Sequence, residues 1–202
     1  MMPVAILCGG RGTRLGALTQ STPKSLVDVG GQPFILHQFD LLRAQGYRDV
    51  VLLTGHLGER IRAVLGNGRA VGMRLRYVHD GPTLRGTAGA ITYALPRLGA
   101  RFFTLYGDAY LACDYQAIER TFLASGKAAL VTEWHGVDYG LSAFHRGVFL
   151  DHPDLTTLPV LHGVLGATKH LFRLAMPVGF REMGSPEGLK ELDADLRRTV
   201  SR

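Results

Sequence analysis

Between Gly9 and Lys24 the chain reads GGRGTRLGALTQSTPK. Three glycines, Gly9, Gly10 and Gly12, fall within four positions. Two arginines, Arg11 and Arg14, are interleaved with them, and a lysine follows Pro23. Glycine lets backbone N–H groups approach a ligand closely, and clustered cations neutralise an anion, so the pattern suits phosphate chemistry. Three phosphate-binding arrangements compete. A dinucleotide fingerprint needs G-x-G-x-x-G. Gly10, Gly12 and Gly16 miss that spacing by one residue, and VVLLTGH, the end of the next apolar run, carries no acidic residue for a ribose. A Walker loop needs G-x-x-x-x-G-K-[ST], and the chain contains neither GKS nor GKT. The third is a loop whose backbone amides hold a nucleoside triphosphate, with Arg11, Arg14 and Lys24 adding charge. By composition alone, a tight turn with solvated arginines is the favoured reading over this third one.

The elements that must position such a loop are legible as an alternation. PVAILC before the glycines is a short apolar run and reads as a buried parallel strand. PFILHQFDLLRAQGY has apolar residues at helical spacing, with Pro33 in the first turn and Gly46 at the end. DVVLLTG is a second buried strand, LGERIRAVLGNG a short helix ending at Gly66, and MRLRYVHD a more exposed strand. TAGAITYALPRLG then reads as helix, RFFTLYGD as strand, YQAIERTFLASG as helix, and AALVTEW and LSAFHR as strands. LFRLAMP is a late strand, and SPEGLKELDADLRR a helix capped by Ser185 with Pro186 at its first position. Such alternation predicts an α/β fold, a single domain over 1–202 with an open, mixed but mostly parallel sheet flanked by helices on both faces. Ligands in these sheets sit beyond the carboxyl ends of the strands, where the glycine stretch, YGD and FREMG all fall.

Composition bounds the rest. Of 202 residues, 46% are apolar and 20% charged, which is a globular balance. The net charge of +6 favours anionic partners, but it is spread along the chain without a run of five like charges, so no nucleic-acid partner is expected. No apolar stretch approaches a membrane span. The start MMPVAILCGG lacks a basic segment and meets glycine early, unlike a signal peptide. Cys8 and Cys113 have no metal-type spacing, so a cytoplasmic, reduced setting is the expectation.

The longer string GGRGTRLGALTQSTPKSLVDVGGQPFI resembles the signature of the sugar-1-phosphate nucleotidylyltransferases: G-G-x-G-T-R-L, then L-T, then P-K-[PS]-L, then x-x-P-[FIL]. LRGTAGAI resembles the family's L-G-T-A-G-[AP] segment, YGDAY its G-D strand end, and REMGSPEGL its [DE]-[IM]-G-[ST]-P-[ED]-x-[LY] close, all in the family's order. In style the chain is nearest the single-domain guanylyltransferases acting on mannose or heptose phosphates. The resemblance implies a Rossmann-like nucleotidyltransferase fold and transfer of a nucleoside monophosphate from an NTP to a sugar 1-phosphate, with Mg²⁺ as cofactor. It implies that Arg14, Lys24 and Asp108 are catalytic and that Leu7, Gly9, Gly10, Gly12 and Thr13 form the nucleotide loop. Gly86, Thr87 and Gly89 pass the base and ribose, and Asp108 and Glu182 hold the metal. Asp80 could accept hydrogen bonds from a guanine edge, which favours GTP, although HDGP suits a surface turn equally. Asp138 and Gly140 in VDYGLSAF could touch sugar hydroxyls. Tyr139 and Cys8 read as core, and Asp193 and Asp195 as solvated.

One part of the family pattern is missing. Members carry a strand with a lysine for the sugar phosphate between the G-D and closing motifs. Here AALVTEWHGVDYGL runs from one strand almost straight into the next, and neither Lys127 nor Lys169 fits that element. The expectation is a domain lacking the usual sugar-side lid after about residue 134. The second reading is therefore a catalytically weak, nucleotide-binding or regulatory relative, although retention of Arg14, Lys24, Asp108 and Glu182 favours the enzyme. An NAD-linked dehydrogenase is opposed by the glycine spacing.

Overall fold

A computed structural model describes residues 1–200. Its centre is a seven-stranded sheet. In chain order the sheet strands are β1 (Val4–Cys8), β4 (Asp49–Thr54), β5 (Arg74–His79), β6 (Arg101–Tyr106), β8 (Ala129–Trp134), β9 (Val137–His145) and β10 (Leu171–Ala175). Two small ribbons complete the strands: β2 (Asp28–Val29) with β3 (Gln32–Pro33), and β7 (Ala109–Tyr110) with β11 (Arg181–Glu182). The order across the sheet is β10-β8-β9-β6-β1-β4-β5. Pairings are parallel except at β9, which runs antiparallel to both β6 and β8. The expected mixed, mostly parallel sheet is therefore present.

The helices are α1 (Phe34–Ala44), α2 (Gly58–Leu65), α3 (Gly86–Ala94), α4 (Tyr115–Ser125), α5 (Gly147–Asp151), α6 (Leu158–Ala167) and α7 (Pro186–Val200). Alternation along β1 explains why its run is apolar throughout. Val4, Ile6 and Cys8 pack with α1, α2 and α4 through Ile35, Phe39, Leu42, Ile61, Tyr115 and Phe122. Ala5 faces the other way, into Ile91, Phe149, Leu158, Leu161 and Leu165 of α3, α5 and α6. A third cluster matters most for the site. Leu192 and Leu196 of α7 pack on Leu15, Val27, Val29 and Phe34, clamping the segment that carries Lys24.

Some local readings are met and others corrected. Ser185 does cap α7, its Oγ accepting from Gly188 N–H at 3.0 Å. Asp193 is not simply solvated, because its Oδ1 accepts from Gly30 N–H at 2.8 Å and ties α7 to the β2–β3 turn. Asp195 accepts from Arg181 Nε at 3.1 Å. Helices α5 and α6 fall in a stretch that carried no reading, where Pro153, Thr156, Thr157 and Pro159 break the apolar rhythm; Pro159 sits in the first turn of α6. The β8–β9 turn is as abrupt as expected. His135 and Gly136, at φ of 49° and 78°, form the two-residue, doubly left-handed turn that matches strand twist.

Candidate active site

The carboxyl ends of β1, β4 and β6, with the segments that follow β5 and β6, surround a cavity of about 500 Å³. Leu7 closes β1, and the chain then turns through Gly9, Gly10 and Gly12 into a 3₁₀ segment, Thr13–Thr19. Gly12 is left-handed at φ 65°. Thr19, buried behind it, donates to the carbonyls of Gly12 at 2.9 Å and Gly16 at 3.3 Å, which fixes the loop from within. Gly107 has a different role. A Cβ there would lie 2.5 Å from the Leu7 carbonyl, so the β6 end can pass β1 only without a side chain.

Of the residues anticipated from sequence, Leu7, Gly9, Gly10, Gly12, Thr13, Arg14, Lys24, Asp80, Gly86, Thr87 and Asp108 all line this cavity. Lys24 and Asp108, 84 positions apart, meet there: Nζ donates to Oδ2 at 2.6 Å, with the two side chains 15% and 30% exposed. Arg14 is exposed, with its guanidinium against Gly184. Asp80 is buried in the wall. Burial raises its carboxyl above the usual range, against the opposing pull of the Arg85 backbone N–H and guanidinium.

Four anticipated residues stand outside the cavity wall. Gly89 faces Arg85 and Thr156, because the carbonyl of Thr156 accepts the N–H groups of Ala88 and Gly89. Thr87 reaches the cavity, but its hydroxyl accepts from Leu158 N–H at 2.8 Å. Asp138 and Gly140 lie one layer away. Asp138 Oδ1 accepts from Gly140 N–H at 2.8 Å and Oδ2 from the Tyr106 hydroxyl at 3.1 Å. Glu182 sits beside the β6 end, paired with Ala109 in the β7–β11 ribbon, while Met183 N–H donates to the Asp108 carbonyl at 3.0 Å. Its carboxylate accepts from Gly184 N–H and the Ser185 hydroxyl.

Tyr106, Cys8 and Ser25, none of them expected at the site from sequence, also line the cavity. Cys8 was read as core, and burial pushes its thiol up to about 12, so it stays protonated and unreactive. The hydroxyl of Ser25 is buried against the Cys8 thiol. Tyr106 immediately precedes the G-D pair, and that adjacency was the signal available for it.

Gly86 gives a testable point. It is left-handed at φ 76°, and a Cβ there would lie 2.4 Å from the Thr156 carbonyl. Gly86→Ala combines an overpacking cost of about 1–3 kcal/mol with about 1 kcal/mol for the left-handed backbone. We expect a fall in thermal midpoint of several degrees, read by calorimetry.

Over residues 4–174 the chain matches the family model described as a MobA-like NTP transferase domain. The chain belongs to this family. It is 37% identical over 121 residues to an N-acetylmuramate alpha-1-phosphate uridylyltransferase of Neisseria meningitidis, covering 59% of this chain and 52% of that one. It is 30% identical over 118 residues to a D-glycero-alpha-D-manno-heptose 1-phosphate guanylyltransferase of Campylobacter jejuni, covering 58% and 52%. The chain thus spans about half the length of these curated relatives. Among solved structures, HddC from Yersinia pseudotuberculosis superposes with a TM-score of 0.82 at 21% identity, over 96% of this chain and 99% of that one. The fold is therefore that of the NTP transferases. Among the described residues, no helix is long and apolar enough to cross a membrane.

Proposed function

We propose that this NTP transferase domain transfers a nucleoside monophosphate from an NTP to a sugar 1-phosphate, releasing pyrophosphate. The observation that carries the reading is the Lys24–Asp108 pair at the mouth of the glycine-lined cavity. In this reaction an oxygen of the sugar phosphate attacks the α-phosphorus, the bond from that phosphorus to the β-phosphate oxygen breaks, and pyrophosphate departs. The nucleophile is already anionic, so no general base is required. What the protein must supply is positioning and positive charge. The amides of the Gly9–Gly12 turn and Arg14 take the triphosphate, and Lys24 serves the point where the two anions meet.

The donor set also fits Mg²⁺. Among the described residues, no cluster of three or more His, Cys, Asp or Glu side chains is placed to hold a metal. Mg²⁺ in nucleotide sites, however, needs only one or two carboxylates beside substrate phosphates. The β7–β11 ribbon brings the chain at Glu182 beside the residue after Asp108, and these two carboxylates would supply the hard oxygen donors. The ion would contribute charge neutralisation at the α-phosphate.

For the base, relatives named for uridylyl, guanylyl and thymidylyl transfer do not discriminate. The chemistry of the wall supports guanine. A carboxylate at Asp80 accepts two donors from the guanine N1–H and N2–H₂ edge but opposes the carbonyls of uracil or thymine. We expect GTP with Mg²⁺ to raise the thermal midpoint more than UTP or dTTP, and Asp80→Asn to remove that preference. A larger shift with UTP or dTTP would refute the guanine assignment.

The tight β8–β9 turn leaves little room for a lid on the sugar side and supports one second reading, a nucleotide-binding relative with weak transfer. Pyrophosphate release from GTP and Mg²⁺ across a panel of sugar 1-phosphates separates the two. We expect release that depends on the sugar phosphate, with a high KM and loose sugar preference. Nucleotide binding without release would favour the second reading.

A further inference from the structure

One buried ionisable side chain takes no part in the chemistry above. His162 on α6 is 6% exposed, and its ring stacks on Phe144 at 5.7 Å with 9° between planes. Its Nδ1 lies 3.8 Å from Oδ2 of Asp138, and its Nε2 lies 3.4 Å from Oγ of Ser142. That same Asp138 oxygen accepts from the Tyr106 hydroxyl, and Tyr106 lines the cavity beside Gly107 and Asp108. A contiguous polar row, Ser142–His162–Asp138–Tyr106, therefore runs from the interior to the cavity wall. The Ser–His–Asp order is not a nucleophilic relay here. Ser142 is only 3% exposed, so no substrate reaches its hydroxyl.

Resting on the transferase reading, we propose that His162 is a positioning residue for the sugar side of the site, acting through Asp138 on the Tyr106 hydroxyl. With its proton committed to Asp138, that hydroxyl offers only lone pairs to the cavity and selects a hydrogen-bond donor, such as a hydroxyl of the sugar. Gly140 N–H fixes only the other oxygen of Asp138, so the placing of Oδ2 between Tyr106 and His162 is left to those two residues.

The groups facing His162 are Asp138 on β9, Glu133 on β8 and Arg173 on β10, the last two paired with each other, with Tyr106 on β6 beyond Asp138. Burial lowers the proton affinity of the ring, against the pull of Asp138 and Glu133 and with the help of Arg173. The ring is neutral at pH 7. Because its folded-state pKa is depressed, the associated stability is present above the ordinary histidine range and is lost as pH falls below it. Protonation would draw Asp138 toward the imidazolium and away from Tyr106, so the KM for sugar phosphate rises in acid.

The test compares wild type with His162→Phe, which keeps an aromatic ring against Phe144, and with Tyr106→Phe. We expect near-wild-type thermal midpoints, a KM for sugar 1-phosphate raised about tenfold in both variants, and a KM for NTP changed less than about twofold. Because both act through the one Asp138–Tyr106 contact, the double variant should be no worse than either single one, a departure from additivity that marks coupling. The acid rise of KM below the ordinary histidine range should be steeper in wild type than in His162→Phe; the phosphate's own ionisation at about 6 is common to both. A second readout needs no turnover: the His162 ring resonances should shift on addition of glucose or mannose 1-phosphate in wild type, and not in Tyr106→Phe. An active wild type whose KM survives His162→Phe unchanged overturns the proposal, as do ring resonances indifferent to saturating sugar phosphate. If wild type makes no NDP-sugar, the transferase reading fails, and the resonances alone decide whether the row senses a sugar phosphate.

Discussion

Lys24→Ala should lower turnover by about 10²-fold or more while nucleotide binding falls far less. Two phosphate anions about 4 Å apart repel by roughly 4 kcal/mol at an effective dielectric near 20, and that repulsion is largest where attack occurs. Lys24 is placed to offset it. Its Nζ is held by Asp108 at 2.6 Å, and its backbone begins a 3₁₀ turn clamped by the α7 cluster. The triphosphate keeps Arg14 and the glycine-turn amides in the variant, so its affinity is largely retained. Lys127 donates to the Lys169 carbonyl and neither lines the cavity, so the KM for sugar phosphate should rise as well. Steady-state kinetics across several sugar 1-phosphates, with NTP binding by calorimetry, reads both effects. An enzyme that barely notices the loss of Lys24 would place the counter-charge on another cation.

Asp108→Asn should have a comparable effect by a different route. The amide keeps the shape but removes a hard anionic donor, so metal affinity and α-phosphate stabilisation fall together, by on the order of 10²-fold in rate or more. It also leaves Lys24, 15% exposed, without its partner. In the free protein that ammonium then competes for phosphate, so NTP affinity measured without Mg²⁺ should hold or rise while the Mg²⁺-dependent gain disappears. Near-normal pyrophosphate release by the purified variant would remove Asp108 from the metal.

Why one part of the site was legible and another was not follows from the physics of each position. That the glycine turn, Lys24 and Asp108 share one cavity was legible because a turn of closely approaching backbone admits few residue types, so their order in sequence survives as a pattern. The buried strands were readable because β1 is covered on both faces. That Gly89 lies off the cavity wall was not legible, because its neighbourhood depends on Thr156, far along the chain in a stretch whose prolines and threonines hid α5 and α6. Asp193 was read as solvated because, beside its exposed ion pair with Arg197, its other partner is a backbone N–H of Gly30, and backbone partners leave no trace in sequence. Tyr106 and His162 escaped notice for a related reason. Each looks like core on its own element, and only the packing of α6 across β9 shows that they share Asp138.

The most direct test follows the oxygen atoms of the sugar phosphate. A sugar 1-phosphate labelled with ¹⁸O in its phosphoryl oxygens, incubated with GTP and Mg²⁺, should yield an NDP-sugar that carries all the label, with the bridging oxygen among it, and pyrophosphate that carries none. Label in the pyrophosphate, or nucleotide breakdown that proceeds equally without the sugar phosphate, would contradict attack of that phosphate on the α-phosphorus.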